Sequence, residues 1–325
     1  MDYLLLILGF TTLIAGGDFL VKGSVGLAIK ANISSLVIGM TVVSFGTSAP
    51  ELLVSVGAAL SDGPDKMMSV GNVIGSNIAN LALVLGVTAL VFPIPVQKVS
   101  IRQDWPVLMI SSVLFVVFMA FFDEEKYLVN KWEGLVLFFL IITFTFFLIK
   151  KSRKESKVDI LELGNVQEYA AEEQNTTWKN ISFLLIGCLG LVFGAEWLLS
   201  AAVNIAKAYN VPSFIIGVTV LAFGTSVPEL ATSVIAAYRK QTDIAIGNLI
   251  GSNIFNILCV VGITGSVAGM PLPKSVLETD VWWMLGVTVL ILPIMAFGKK
   301  INRWKGLLLI GVYFSYMFFL IYNIN

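Results

Sequence analysis

Hydrophobic residues run along this chain in continuous blocks, each closed by a short polar or turn-forming break. A helix needs about twenty apolar residues to cross a ~30 Å hydrocarbon core. Ten such spans are read, at 3–30, 36–60, 67–91, 103–121, 130–149, 179–207, 212–238, 243–268, 278–297 and 304–323. Strands of a membrane barrel would alternate in polarity, whereas continuous runs suit helices that satisfy their own backbone hydrogen bonds. The expected fold class is all-α integral membrane protein. Composition agrees: 57% of the 325 residues are hydrophobic and 13% are charged, against roughly 25% charged in soluble domains.

Net charge is formally zero, so the placement of charge carries the information. With the N-terminus outside, and span-edge residues counted with the adjoining loop, fifteen of the 21 Lys and Arg residues fall in inner loops, five in outer loops, and only Lys22 within a span. Basic residues mark the cytoplasmic side. Both termini are therefore expected outside a cell membrane, the inner or plasma membrane, with the 150–178 segment as a cytoplasmic linker. The first span begins at Asp2 without a basic n-region or a small-residue cleavage pattern, and is expected to remain as a helix. Cys188 and Cys259 lie inside spans and the chain has no histidine, which argues against a disulfide scaffold, a zinc site or a histidine proton relay.

The chain repeats itself. Shifted by 178 residues, Phe45–Leu52 (FGTSAPEL) falls on Phe223–Leu230 (FGTSVPEL), and twelve of the twenty positions from 36 to 55 are identical. After a two-residue gap, GNVIGSNIAN from Gly71 falls on GNLIGSNIFN from Gly247, Asp104 on Asp280, and KWEGLVL from Lys131 on RWKGLLL from Arg303. Each copy holds five spans, an odd number, so the second enters the membrane in the opposite sense. The expected organisation is a first repeat over 1–149, the 150–178 linker, and an inverted second repeat over 179–325. Inverted repeats are a transporter architecture whose substrate site lies between the halves on interrupted helices.

Pro50 and Pro228 remove an amide hydrogen and crowd the carbonyls of Gly46 and Gly224, so each half should break at its own FGTS. Freed carbonyls at a half-helix end favour cations. Thr47, Ser48 and Glu51 cluster beside one break, and Thr225, Ser226 and Glu229 beside the other. The adjoining spans carry Asn72, Ser76 and Asn80, or Asn248, Ser252 and Asn256, at four-residue spacing on one face. Gly71 with Gly75, and Gly247 with Gly251, form small-xxx-small pairs that permit close approach. Alone such a pair is ordinary packing; beside two duplicated Pro-Glu breaks it can bring a polar stripe to the site. A carboxylate at membrane depth costs roughly 2.5–3.5 kcal/mol on insertion scales, so it needs a partner. The ligands are all oxygens, which suit hard cations. One Ca²⁺ would neutralise two glutamates, and so would two Na⁺. Asp18 and Glu196, equivalent under the repeat, are read as interfacial or interhelix hydrogen-bonding residues, with a place along the ion path as the alternative. Asp123, Glu124 and Glu125 are read as a solvated loop.

GTSAPE with GNVIGSNIAN, and GTSVPE with GNLIGSNIFN, resemble the paired α-repeats of the sodium/calcium exchanger family, of the prokaryotic type with a short central loop. The resemblance runs essentially the full length. It implies ten helices, four cation sites built from spans two, three, seven and eight, and alternating access by sliding of spans one and six. It implies that Glu51 and Glu229 ligate Ca²⁺ with the Thr47 and Thr225 carbonyls. Ser48, Ser76, Ser226 and Ser252, with the Ser44 and Ala222 carbonyls, would line Na⁺ sites, and Asn80 and Asn256 would complete the middle. Some relatives carry aspartate at the Asn256 position, notably potassium-dependent ones. Asparagine in both repeats therefore implies K⁺-independent, electrogenic exchange.

The expected function is Na⁺/Ca²⁺ antiport, with Ca²⁺, Na⁺ and the lipid bilayer as partners and no cofactor, nucleic acid or obligatory protein partner. Proton-coupled Ca²⁺ antiport and a passive cation channel are the alternatives. An intramembrane enzyme is disfavoured, because Ser48 and Ser226 have no histidine or evident lysine base.

Overall fold

A computed structural model describes residues 1–61, 64–121, 128–159, 176–209, 224–271 and 276–324. The helices in chain order are α1 (Asp2–Ala31), α2 (Ser35–Thr47), α3 (Ala49–Leu60), α4 (Met68–Val91), α5 (Ser100–Met119) and α6 (Lys131–Asp159). They continue with α7 (Thr177–Ala208), α8 (Val227–Tyr238), α9 (Thr242–Ala268), α10 (Val276–Lys299) and α11 (Arg303–Ile324). Among the described residues eight helices are long and apolar enough to cross a membrane, and α2 with α3, bent by 45°, makes a ninth. Of the seventh span, residues 224–238 are described, and α8 lies among them. Ala222 and the cluster Asp123, Glu124, Glu125 lie outside the described residues. The segment read as a linker is helical at both ends, since α6 runs to Asp159 and α7 starts at Thr177.

Local sequence explains several boundaries. Ser34 accepts from the Val37 amide at 3.3 Å and caps α2. At α6, Asn130 accepts from the amides of Trp132 and Glu133 while the Glu133 carboxylate accepts from the Asn130 amide at 2.8 Å, a reciprocal cap. Asn32 closes α1 in the left-handed region at φ 53°.

Two short antiparallel ladders tie the halves together. β1 (Ile94–Pro95) pairs with β4 (Lys300–Ile301), and β2 (Leu128–Val129) pairs with β3 (Met270–Pro271). Under the repeat, Ile94 corresponds to Met270 and Leu128 to Lys300, so each ladder is the image of the other. A ladder can join only loops on one side of the membrane. The ten spans read from the sequence put four crossings between Val129 and Met270, an even number, as a ladder on one side requires. Ten crossings in two inverted halves meet that parity. Because α5 separates β1 from β2, one ladder lies on each side.

α4 and α9 form the centre. The apolar window of α9 is buried throughout and that of α4 is 78% buried, against 22% to 39% for the other full-length crossing helices. Outward-facing Phe10, Phe146, Trp178 and Phe318 are exposed, as expected of a lipid-facing surface. α1 and α7 cross along a glycine seam. A Cβ on Gly9, Gly16 or Gly23 would lie 2.6, 2.8 or 2.8 Å from the amide nitrogens of Leu198, Leu191 and Leu184, so only glycine permits this backbone approach.

Candidate functional site

Both breaks have the same backbone. Ser48 stands at φ −86°, ψ 4° before α3, and Ser226 at φ −86°, ψ 2° before α8. Pro50 and Pro228 sit in the first turn of the new helix, where a missing amide hydrogen removes no helical bond. Glu51 and Glu229 follow within that turn, near the positive end of the helix dipole, and both are 0% exposed. Gly46 and Gly224 place the breaks against Cys188 and Leu199 of α7.

The polar stripes of α4 and α9 each meet the opposite half. Thr47 donates through Oγ1 to Asn248 Oδ1 at 3.1 Å and lies 3.3 Å from Ser252 Oγ. Symmetrically, Thr225 donates to Asn72 Oδ1 at 3.4 Å and lies 3.1 Å from Ser76 Oγ. The asparagine amides turn back to their own halves, Asn72 Nδ2 donating to Ser55 Oγ and Asn248 Nδ2 to Ser233 Oγ, both at 3.0 Å. These bonds fix the threonines and leave their carbonyls for other partners.

The centre is short of partners. Ser48 Oγ donates to Glu229 Oε1 at 3.3 Å and so joins the two breaks. Both oxygens of Glu51, Glu229 Oε2, Ser226 Oγ, Asn256 Oδ1 and both amide atoms of Asn80 are buried without a hydrogen-bond partner. Buried carboxylates left in this way carry a large desolvation penalty that a bound cation removes. Among the described residues no group of three His, Cys, Asp or Glu side chains forms a metal cluster. Two carboxylates among neutral oxygens is a donor set for hard cations.

The glycines of α9 receive α2 closely. Ser44 Oγ donates to the carbonyls of Gly39 at 2.8 Å and Asn248 at 3.1 Å, pinning α2 to α9. A Cβ on Gly247 would meet the Leu36 carbonyl at 2.5 Å, and one on Gly251 would strike Ser44 Oγ and the Met40 backbone. Among the described residues nothing lies within 4 Å of a Cβ on Gly71 or Gly75. By the repeat their counterpart to α2 is the stretch 213–222, outside the described residues.

Asp18 and Glu196 also part company. Asp18 of α1 is ion-paired to Lys22 at 3.1 Å and to Arg239 at the end of α8. Glu196 is exposed on α7. Neither is among the partners of the central groups.

Three features escaped the sequence reading. Ser55 and Ser233 hold the Asn72 and Asn248 amides, a role signalled only by their identity at the 178-residue offset. Asn77 and Asn253, three residues before Asn80 and Asn256 in the motif, are each 1% exposed. The third is π-helical turns at Ala79–Val84 and Asn256–Val261, which re-aim the end of each stripe.

The sodium/calcium exchanger protein family matches residues 1–150 and 179–322. The chain belongs to the sodium/calcium exchanger family. It is 34% identical to the putative antiporter CaxA of Alkalimonas amylolytica over 97% of each chain. It is 31% identical to the sodium/calcium exchanger MaX1 of Methanosarcina acetivorans over 99% of each. The structure of the sodium/calcium exchanger from Methanococcus jannaschii superposes with a TM-score of 0.80 at 31% identity, covering 97% of each chain. The family match thus takes in both halves, with one helix break in each.

Proposed function

We propose that this chain is a secondary antiporter that exchanges Na⁺ for Ca²⁺ by alternating access. The observation that carries the reading is the pair of fully buried glutamates, one at each helix break, with three of their four carboxylate oxygens unpartnered. Glu51 and Glu229 ligate Ca²⁺ with the Thr47 and Thr225 carbonyls. Na⁺ takes the same glutamates with Ser44, Ser48, Ser76, Ala222, Ser226 and Ser252, while Asn80 and Asn256 face the middle. Shared carboxylates make the two loads compete, which is what exchange requires.

Exchange is K⁺-independent, because Asn256 supplies a neutral oxygen where a carboxylate would draw a further cation. With two site carboxylates, movement of more than two Na⁺ per Ca²⁺ carries net charge. Each charge then gains about 2.3 kcal/mol per 100 mV of membrane potential. The repeats, 1–149 and 179–325, act as the two sides of the carrier in the plasma membrane, with termini outside and the 150–178 segment cytoplasmic, as the basic residues favour.

Na⁺-loaded proteoliposomes should take up ⁴⁵Ca²⁺ only while an outward Na⁺ gradient exists, equally with and without K⁺. Uptake that follows a pH gradient and ignores Na⁺ would replace Na⁺ with protons on the same carboxylates. Non-saturating current without a counter-ion would make the chain a channel.

A further inference from the structure

We infer that Asn77 and Met284 are positioning residues that set which end of the Asn256 carboxamide faces the transported cation. The inference rests on the proposed role of Asn256 as a cation ligand. Asn256 is 0% exposed; its Nδ2 donates to Asn77 Oδ1 at 3.1 Å, and its Oδ1 has no protein partner. Asn77, 1% exposed, directs its own Nδ2 at Met284 Sδ, 3.8 Å away.

Polarity enters this chain at the sulfur. A thioether has lone pairs and no hydrogen, so it can only accept. It therefore takes the NH₂ end of Asn77 and turns the Asn77 oxygen toward Asn256. That oxygen can likewise only accept, so it takes the NH₂ end of Asn256. The Asn256 oxygen is left pointing away from its neighbour and is available to a cation. Reversing Asn256 would set two carbonyl oxygens against each other and present an NH₂ group to a positive ion.

The repeat supplies an internal control. Leu108 occupies the position equivalent to Met284, is 0% exposed, and offers no acceptor. There Asn253, the counterpart of Asn77, donates to the Leu249 carbonyl of its own helix at 2.8 Å. Asn80, the counterpart of Asn256, has neither amide atom bonded. One amide of the pair is committed as an oxygen donor, and the other is free to turn.

The experiment is the Ca²⁺ half-saturation of Na⁺-driven uptake, measured for Asn77→Ala and Met284→Leu alone and each combined with Asn256→Asp. Alone, Asn77→Ala should raise half-saturation about three- to tenfold, the range for one lost hydrogen bond. Met284→Leu copies Leu108, conserves volume, and should raise it about two- to threefold. A carboxylate presents equivalent oxygens either way round, so in the Asn256→Asp background both changes should shift half-saturation by less than about twofold. Equal shifts in the two backgrounds would mean a merely structural role and overturn the inference. Unchanged half-saturation in Asn77→Ala and Met284→Leu, with Asn256→Leu impaired, would also overturn it while sparing the ligand reading. If Asn256→Leu is itself silent, the ligand reading fails first. Should Asn77→Ala not reconstitute, the Met284→Leu pair decides.

Discussion

Gly247 and Gly251 lie under the backbone of α2, whereas Gly71 and Gly75, in the same motif one repeat earlier, meet nothing within 4 Å among the described residues. Likewise α1 packs along α8, with Gly17 against Ile235 and Ala231, while the repeat-related pair of α7 and α3 makes no comparable contact. Nearly identical sequences thus hold two different packings at once. Local propensity does not choose between them. The difference between the α1–α8 and α7–α3 pairs is what an inverted pair shows at one end of an alternating-access cycle, whose other end would exchange the roles of the halves.

The strongest way to break the comparison is at the carboxylates, where the halves should behave alike. Glu51→Gln and Glu229→Gln each remove half the charge facing the cation. A loss of about 3 kcal/mol or more should lower Na⁺-driven ⁴⁵Ca²⁺ uptake by on the order of a hundredfold in each. Full activity in either would refute the shared site. Next come the glycines, where the halves should differ. Gly251→Ala drives a methyl into Ser44 and Met40, so it should destabilise the protein by about 1–3 kcal/mol, read as an earlier thermal midpoint in detergent. Gly75→Ala, whose methyl meets none of the described residues, should move that midpoint less. A matched thermal loss at both positions would remove the asymmetry.

Smaller effects refine the picture. Ser55→Ala and Ser233→Ala each release one asparagine amide, at about 1 kcal/mol, and should raise the ion concentrations for half-maximal exchange several-fold and equally. Smallest of all, Asp18→Asn breaks a partly exposed ion pair worth roughly 0.2–1 kcal/mol. It should shift the balance of inside- and outside-accessible states, followed by labelling of single introduced cysteines. Glu196→Gln should not shift it, because Ser61 and Ser200 stand where Arg239 and Lys22 stand in the other half.

Much of this was legible in the chain itself. The spans, the inversion and the Pro-Glu breaks follow from patterns that act over a few residues, and the repeat doubled each signal. Glu51 and Glu229 stood out because a carboxylate in an apolar run has no cheap alternative. The π-turns at Ala79–Val84 and Asn256–Val261 were not legible, since they arise where a helix is packed on every side by distant elements. Nor was the pinning of Gly251 against Ser44, because the GNxxGSN letters do not say which element lies against them. Asp18 and Glu196 occupy equivalent columns, and their different surroundings depend on Arg239, 221 positions beyond Asp18 in the chain.

The two ladders restrict what kind of machine this can be. Ile94–Pro95 with Lys300–Ile301, and Leu128–Val129 with Met270–Pro271, act as rivets through both rims of the carrier. A body riveted at both rims cannot open by swinging one half against the other, as two jaws would. Its large displacement falls to elements outside the rivets. α1 and α7 contribute no strand to either one and touch along bare glycine backbone, a greased rail across a clamped frame.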